Sequence, residues 1–435
     1  MKTIRRSMRT RILLAAITSL ASVVAGSAAG ENFEVPVDEA PGASLLPAQI
    51  SGKNFKVRDP VHSDGLMHRY IVESRFGEFE AYGRDELALR LREIAALTQI
   101  SETSESEVAL KSVTRGLQED VKTVVSVATD PVGTVLGIPR GIGHLLGGYR
   151  ARAGEVSAKI KKTTSSDAAG DGEPPAHQIK DSAKSYMDKY MGLSAAERRW
   201  YAKLDIDPYT RNEVLRRAVR RLAKVDSTVS FGMKFVAVGV PYASEARRAL
   251  DAIYNEDPAV LRKKRRKALA TFGLTAAEVE RFENTMLLDP TRQTALVDAM
   301  QALEGVSGRE ELLRTAMSVT SELEVQVFLR STRLLLRTHA RRPVTRIVAG
   351  LRLPSAQFAD GRIAVFGAFD AVQWTAEVAG YEGAILDALP ADIAAREAWL
   401  SRTISPRARA ALGQRGWEVH DNAEPALETM QTASQ

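Results

Sequence analysis

The sequence contains no cysteine among its 435 residues. Disulfide bonds, zinc-thiolate sites, iron-sulfur clusters and a cysteine nucleophile are therefore excluded. Aromatic residues are also scarce, at 6%, and they are not interleaved with cations in the way that base stacking on a nucleic acid requires. Any chemistry must use oxygen and nitrogen side chains, and nucleic acid is disfavoured as a partner.

Catalytic and cofactor motifs are missing as well. The sequence has no G-x-S-x-G elbow, no Walker loop, no dinucleotide fingerprint and no HExxH spacing. The six histidines are His62, His68, His144, His177, His339 and His420. We therefore predict no catalytic residue, no metal site and no cofactor. The alternative is a hydrolytic site assembled from residues that are distant in sequence.

The first 29 residues have the pattern of an export signal. Five cations precede an uncharged run at 12–26, and small residues then offer a cleavage site near Ala29. The run is shorter than the roughly 20 apolar residues that a transmembrane helix needs. We predict a periplasmic or secreted mature protein, with an uncleaved membrane anchor as the alternative.

Composition and periodicity divide the chain into segments of an α+β protein whose central domain is predominantly helical. The predicted segments are a signal peptide at 1–29, an extended lead-in at 30–67, an α+β module at 68–158 with a glycine-rich stretch at 130–148, a linker at 159–178, a helical domain at 179–341, a C-terminal α+β domain at 342–422 and a tail at 423–435. Within the module, a hairpin is predicted at 69–82, a helix at 85–97, a solvated loop at 101–107 and a second helix at 108–128.

The helical domain is predicted from its capping signals. Ser194 with Glu197 and Thr275 with Glu278 are capping boxes, and Asp257 and Asp289 each precede a proline at the first helical position. The predicted helices are 181–191, 195–204, 211–225, 243–254, 258–271, 276–288, 290–303 and 308–338, the last broken near 318–321.

The C-terminal domain is predicted from strand and turn patterns. Strands are expected at 344–353, 362–366, 372–378 and 417–420, with Asp360 and Gly361 forming a hairpin turn. Ser405 and Pro406 open a short helix that ends before Gly416.

Several motifs occur in a characteristic order: a hairpin followed by a helix, DP..T..GIP.G, DPYT, DPT.QT and SPRARAALGQRGWEVH. In this order the chain resembles, over most of its mature length, an uncharacterised family of exported bacterial proteins with no assigned activity. The resemblance implies only that this domain order recurs, and it implies no site residues.

Charge is unevenly distributed along the chain. Lys and Arg number 60 against 54 Asp and Glu, and since five of the cations lie in the signal, the mature protein is nearly neutral. Residues 211–267 nevertheless hold 15 cations against 6 acids. The candidate surface-binding residues in the two basic helices, 211–225 and 258–271, are Arg216, Arg217, Arg220, Arg221, Arg262, Lys263, Lys264, Arg265, Arg266 and Lys267.

The export signal and the absence of catalytic motifs predict an exported, non-enzymatic cell-envelope protein, and the basic helices predict that it binds an anionic membrane surface or an envelope protein. The short apolar piece at 230–243, flanked by cations, would enter a membrane interface while the cations hold anionic head groups. The simpler alternative is a solvated basic face whose cations pair with acids elsewhere. The alternative activity is a periplasmic hydrolase, which requires a deep pocket holding a perturbed carboxylate or histidine beside a serine or a water site.

Overall fold

A computed structural model describes residues 32–106, 193–224, 244–390 and 393–424. The chain divides into two units, Met1–Val35 and Pro36–Gln435, and every element named below belongs to the second. Several predicted features lie outside the described residues. These are the signal peptide at 1–29, the helices at 108–128 and 181–191, the glycine-rich stretch at 130–148, the linker at 159–178, the apolar piece at 230–243 and the tail from 425.

The N-terminal part is an antiparallel sheet followed by a long helix. Its strands are β1 (Ser51–Gly52), β2 (Phe55–Val57), β3 (His62–Ser63), β4 (His68–Ser74) and β5 (Gly77–Tyr82), and its helices are α1 (Pro47–Ile50) and α2 (Arg84–Ser106). Strand β4 pairs with β2 and β3 along one edge and with β5 along the other. The predicted hairpin and helix are confirmed.

Two expectations for this part differ from the structure. The segment 30–67, expected as an extended lead-in, contains α1 and three short strands, because backbone pairing with β4 supplies order that its composition does not reveal. The stretch 101–107, expected as a loop, continues α2 through Ser106. Its first residue, Ser101, is buried and accepts a hydrogen bond from Arg75, so it faces the sheet and not the solvent.

The central part is helical, as predicted. Its helices are α3 (Ala195–Leu204), α4 (Glu213–Lys224), α5 (Ser244–Asn255), α6 (Pro258–Leu269), α7 (Ala276–Glu283), α8 (Pro290–Ala302), α9 (Glu310–Ala316) and α10 (Glu322–His339). All four predicted caps are present, since Ser194, Asp257, Thr275 and Asp289 each accept a backbone hydrogen bond from the first turn. The predicted break falls between α9 and α10.

The C-terminal part is a five-stranded mixed sheet. Its strands are β6 (Val344–Ile347), β7 (Ser355–Phe358), β8 (Ile363–Gly367), β10 (Arg396–Leu400) and β12 (Trp417–His420), in the order β12-β10-β8-β7-β6; β9 (Ala371–Val372) pairs separately with β11 (Thr403–Ile404). Strands β8, β10 and β12 are parallel, and the helices α11 (Ala376–Ala388) and α12 (Pro406–Gln414) connect them.

The prediction of a strand at 372–378 is wrong, because Thr375 caps α11 and only β9 precedes it. The strand predicted at 344–353 ends at Ile347. The predicted turn at Asp360 and Gly361, the helix after Ser405 and the last strand are confirmed.

The two largest hydrophobic cores among the described residues hold these parts together. One joins the N-terminal sheet and α2 to α3 and α4, and includes Tyr70, Leu97 and Leu222. The other joins the helices from α6 to α10 with the C-terminal sheet, and includes Phe282 and Phe366. The second core therefore extends across position 342, and the domain boundaries given above stay a prediction.

Candidate functional site

The basic helix α4 exposes less charge than its sequence implies. The four predicted residues on this helix are Arg216, Arg217, Arg220 and Arg221. Arg216 is buried at 5% exposure, and its Nη1 lies 2.5 Å from Glu213 Oε1. Arg220 is exposed, but its Nε is 3.8 Å from Glu197 Oε1. The other two are half-buried. Helix α4 packs its apolar face into the core that it shares with α2, and Arg216 is buried along with that face.

Helix α6 contributes the other six predicted cations, and three of them are held by the fold. Arg262 and Arg266 both pair with the buried carboxylate of Glu283, at 3.1 Å and 3.2 Å. Arg265 is buried, and burial lowers the pKa of its guanidinium from the ordinary value. These three arginines attach α6 to α7 and α8.

The three lysines of α6 are exposed. Lys263, Lys264 and Lys267 follow Val260 at the spacing that places side chains on one helical face. Val260 is itself 49% exposed. Lys264 Nζ lies 2.8 Å from Glu256 Oε2. The lysine is 63% exposed and the glutamate 30%, so solvent screens the pair in part and leaves the lysine on the surface. We call Val260, Lys263, Lys264 and Lys267 the lysine face.

A buried polar network joins α2, α8 and α10 through two motifs of the sequence, DPYTRN at 207–212 and DPTRQT at 289–294. Glu322 at the start of α10 accepts two hydrogen bonds from Arg292 and pairs with Arg211 at 2.8 Å. On α2, the fully buried Glu93 accepts hydrogen bonds from Thr210 and Asn212. The arginines hold the pKa of Glu322 down to about 2, although burial opposes them.

The same motifs bring two carboxylates together. Asp207 accepts hydrogen bonds from the Tyr209 amide and from the Thr291 hydroxyl, both at 2.9 Å. Burial and the nearby charge of Asp289 raise the pKa of Asp207 to about 7. A carboxylate that titrates near neutral pH suits general acid-base chemistry. Sequence analysis identified Asp289 as a helix cap but did not pair it with Asp207.

An apolar cavity lies between the C-terminal sheet and α11. Its volume is about 80 Å³. Its lining includes Val365, Leu400 and Ile385, and its buried polar group is Glu382, which accepts a 2.7 Å hydrogen bond from the Trp417 indole. Asp207, the carboxylate whose pKa is raised, does not line this cavity. A hydrolase needs a pocket and a perturbed carboxylate in one place, and within the described residues the two are separate.

Gly380 lies on the exposed face of helix α11. A Cβ added there would meet no atom within 4 Å. Replacing Gly380 with alanine is therefore expected to raise the free energy of unfolding by about 1 kcal/mol, because alanine favours the helix and nothing obstructs its methyl group. Urea unfolding measures the change. The control Gly308→Ala should lose stability, since Gly308 has a φ of 72° and a Cβ there would lie 3.1 Å from the Ile347 carbonyl oxygen; a loss at Gly380 would contradict the prediction.

The histidines and acids named from the sequence have ordinary partners where they are described. His62 Nδ1 lies 2.7 Å from Asp38, and Asp360 accepts the Arg362 amide within the hairpin turn. His420 lies near Glu397 and Glu418, a grouping with the spacing of a metal site. Glu397 is already bound by two arginines, so a cation would have to displace guanidinium groups.

Comparison with known proteins gave no relative: no family model matches the chain, and no match was found among curated proteins or solved structures. The resemblance to exported bacterial proteins therefore stays a prediction. Every helix within the described ranges is too short or too polar to cross a lipid bilayer.

Proposed function

We propose that this is an exported, non-enzymatic cell-envelope protein that binds an anionic membrane surface through the lysine face of α6. The observation that supports the proposal is the exposure of Val260 on the same face as three lysines. Lysine ammonium groups are attracted to anionic head groups, and an adjacent apolar side chain adds burial at the interface. An acidic envelope protein is the alternative partner.

The proposal keeps three of the ten predicted binding residues, since Arg217, Arg220 and Arg221 lie on α4 and not on the lysine face. Arg216 and Arg265 are buried, and Arg262 and Arg266 share Glu283, so their charge serves the fold. The lysines project into solvent, where each contributes roughly 1 kcal/mol of attraction near an anionic surface. A periplasmic hydrolase has less support, because Asp207, the carboxylate with the raised pKa, does not line the apolar cavity among the described residues.

Cosedimentation with lipid vesicles tests the lysine face. We expect salt-sensitive binding to anionic vesicles and none to neutral vesicles. Replacing Lys263, Lys264 and Lys267 together with glutamate should lower the partition coefficient by roughly a hundredfold or more, since each lysine contributes about 1 kcal/mol.

The matched control reverses three exposed cations that are dispersed over the molecule, Lys56, Arg281 and Arg407. It changes the net charge by the same amount and should bind much as the unaltered protein does. Equal losses in the two variants would mean that net charge, and not the lysine face, governs binding. Absence of binding to either vesicle would overturn the membrane proposal.

A further inference from the structure

The floor of the apolar cavity between the C-terminal sheet and α11 is a patch of the parallel strands β8 and β10. Val365 pairs with Ala398 and Gly367 pairs with Leu400, so these four residues lie on one face of the sheet. Gly367 has no side chain and Ala398 has only a methyl group. The cavity therefore occupies space that longer side chains on these strands would fill.

Helix α11 forms the opposite wall, and its burial decreases along its length. Val378, in the first turn, is 8% exposed. Ile385 also lines the cavity but is only half-buried, and so is Leu389 just beyond the helix. Both pack against the large C-terminal core. The second half of α11 thus leaves apolar side chains between the core and the solvent.

The opening of the cavity lies beside α11. Among the described residues that line the cavity, all are buried except Tyr381 and Ile385. These two residues are four apart, so they lie on the same face of the helix. A ligand would enter between this face and the edge of the sheet.

The volume and the lining fit a narrow hydrocarbon chain. The cavity measures about 80 Å³, whereas a dry cavity that holds a benzene ring measures about 150 Å³. The charged residue in the lining is Glu382, which accepts hydrogen bonds from the Trp417 indole at 2.7 Å and from Arg415 at 3.3 Å. Because the fold engages this carboxylate, the interior favours a chain without polar groups along its length.

Acidic groups surround the opening. Glu377 lies four residues before Tyr381 on the same face of α11, and Asp64 closely precedes Leu66, which lines the cavity. Burial raises the pKa of the Tyr381 hydroxyl, and the negative charges of Glu377 and Asp64 raise it further. Both carboxylates are therefore close to this hydroxyl. They would attract a cationic head group and repel a carboxylate.

We infer that this cavity binds an aliphatic chain that ends in an ammonium group, as a primary alkylamine does. The chain lies over β8 and β10 beneath α11, and the ammonium group stays at the opening near Glu377 and Asp64. The inference does not depend on the lysine face, whose charge would repel such a ligand.

Calorimetric titration of the full chain with butylamine, pentylamine and hexylamine tests the cavity. At pH 7 each amine is protonated, as lysine is. The affinity should rise about fourfold with each added methylene, because each methylene buries further apolar surface. Hexanol should bind about fivefold more weakly than hexylamine, and hexanoate more weakly still, because the carboxylates at the opening attract only the ammonium group.

Two substitutions on α11 test the site, each with a control on the same helix. Ile385→Phe should lower the affinity for hexylamine about tenfold or more, because the ring takes the place of about two methylenes of the ligand. Leu386→Phe, at a neighbour that does not line the cavity, should not. Glu377→Gln should lower the affinity for hexylamine about fivefold and leave that for hexanol unchanged. Asp387→Asn, which removes an exposed charge near the other end of α11, should change neither.

Three results would overturn the inference. If none of the amines binds saturably, the cavity is a packing defect. If the affinity does not depend on chain length, the chain is not buried. If hexanoate binds as tightly as hexylamine, the opening does not select an ammonium group. The chain-length series uses the unaltered protein, so it decides the inference even if Ile385→Phe does not fold.

Discussion

Replacing Glu322 with glutamine is expected to lower the free energy of unfolding at pH 7 by about 3 kcal/mol. The carboxylate is 17% exposed and lies between Arg211 and Arg292, so its removal takes away the anion that the two partly buried guanidinium groups share, although Arg292 keeps its pair with Asp289. Removing one partner of a buried ion pair typically costs about 3 to 5 kcal/mol. Thermal or urea unfolding measures the loss.

The pH dependence gives an independent measure of the same interaction. The folded-state pKa of Glu322 is about 2 against an ordinary 4.5, so its contribution is fully present above pH 4.5 and disappears as the pH falls toward 2. A pKa lowered from 4.5 to about 2 corresponds to about 3 kcal/mol of stability. The difference between the two proteins should therefore shrink over this interval, and a difference that is independent of pH would contradict the assignment.

The matched substitution is Glu278→Gln, at a carboxylate that also pairs with arginine but is more exposed, at 26% against 17% for Glu322. Glutamine can preserve the capping box with Thr275, and Arg314 keeps its pair with Glu311. Exposed pairs contribute about 0.2 to 1 kcal/mol, so the loss should be several times smaller than at Glu322. Similar losses at the two positions would mean that burial does not determine the effect.

Local signals in the sequence predicted the helices well because capping is a local interaction. Ser194 and Thr275 form capping boxes with residues three positions away, and Asp257 and Asp289 precede proline, so each helix start is specified within one turn. The misassigned helix α11 has β-branched and aromatic residues before it and glycines within it, which weaken a helical pattern. Packing against the sheet, and not local preference, makes it a helix.

Strand β10, which lies between the correctly predicted strands β8 and β12, could not be predicted from periodicity. Strand β10 contains the charged residue Glu397, which a sequence argument would place at the surface. In the structure Glu397 is 1% exposed and is neutralised by Arg342 and Arg362, which lie 55 and 35 residues away in sequence. A contact of that range leaves no periodic signal in a single sequence.

The candidate sites show the same limitation. The sequence predicted where cations are concentrated, but not which of them the fold would neutralise, since Glu283 meets Arg262 only through the packing of α7 on α6. Arg330 and Arg402, whose side chains both approach Glu424, lie in separate segments that no local pattern relates. The fold brings their side chains together, and a single sequence does not show that they are neighbours.

Replacing Asp207 with asparagine is expected to raise the free energy of unfolding, whereas the substitution at Glu322 lowers it. At pH 8 the free energy of unfolding should rise by about 2 to 4 kcal/mol, because the substitution removes a desolvated charge beside Asp289. Asparagine keeps an acceptor oxygen for the Tyr209 amide and the Thr291 hydroxyl. Unfolding by urea at a series of pH values measures the gain.

The sign follows from the raised pKa of Asp207. Between its ordinary value of 3.8 and its folded value of about 7, the folded state binds the proton more tightly than the unfolded state, so the unaltered protein loses stability as the pH rises through this interval. The gain in the free energy of unfolding from Asp207→Asn should therefore reach its full value above pH 7 and vanish near pH 4.

Asp205→Asn is the matched control, two residues away. Asp205 has a φ of 52°, which asparagine tolerates, and its side chain is 36% exposed beside Arg247. Its substitution should change stability by no more than about 0.5 kcal/mol at either pH. A loss of stability at pH 8 in Asp207→Asn would mean that Asp207 is ionised there and held by Arg292. A gain would identify the two carboxylates as a destabilising pair, which is the arrangement expected where a site is retained for a purpose other than stability.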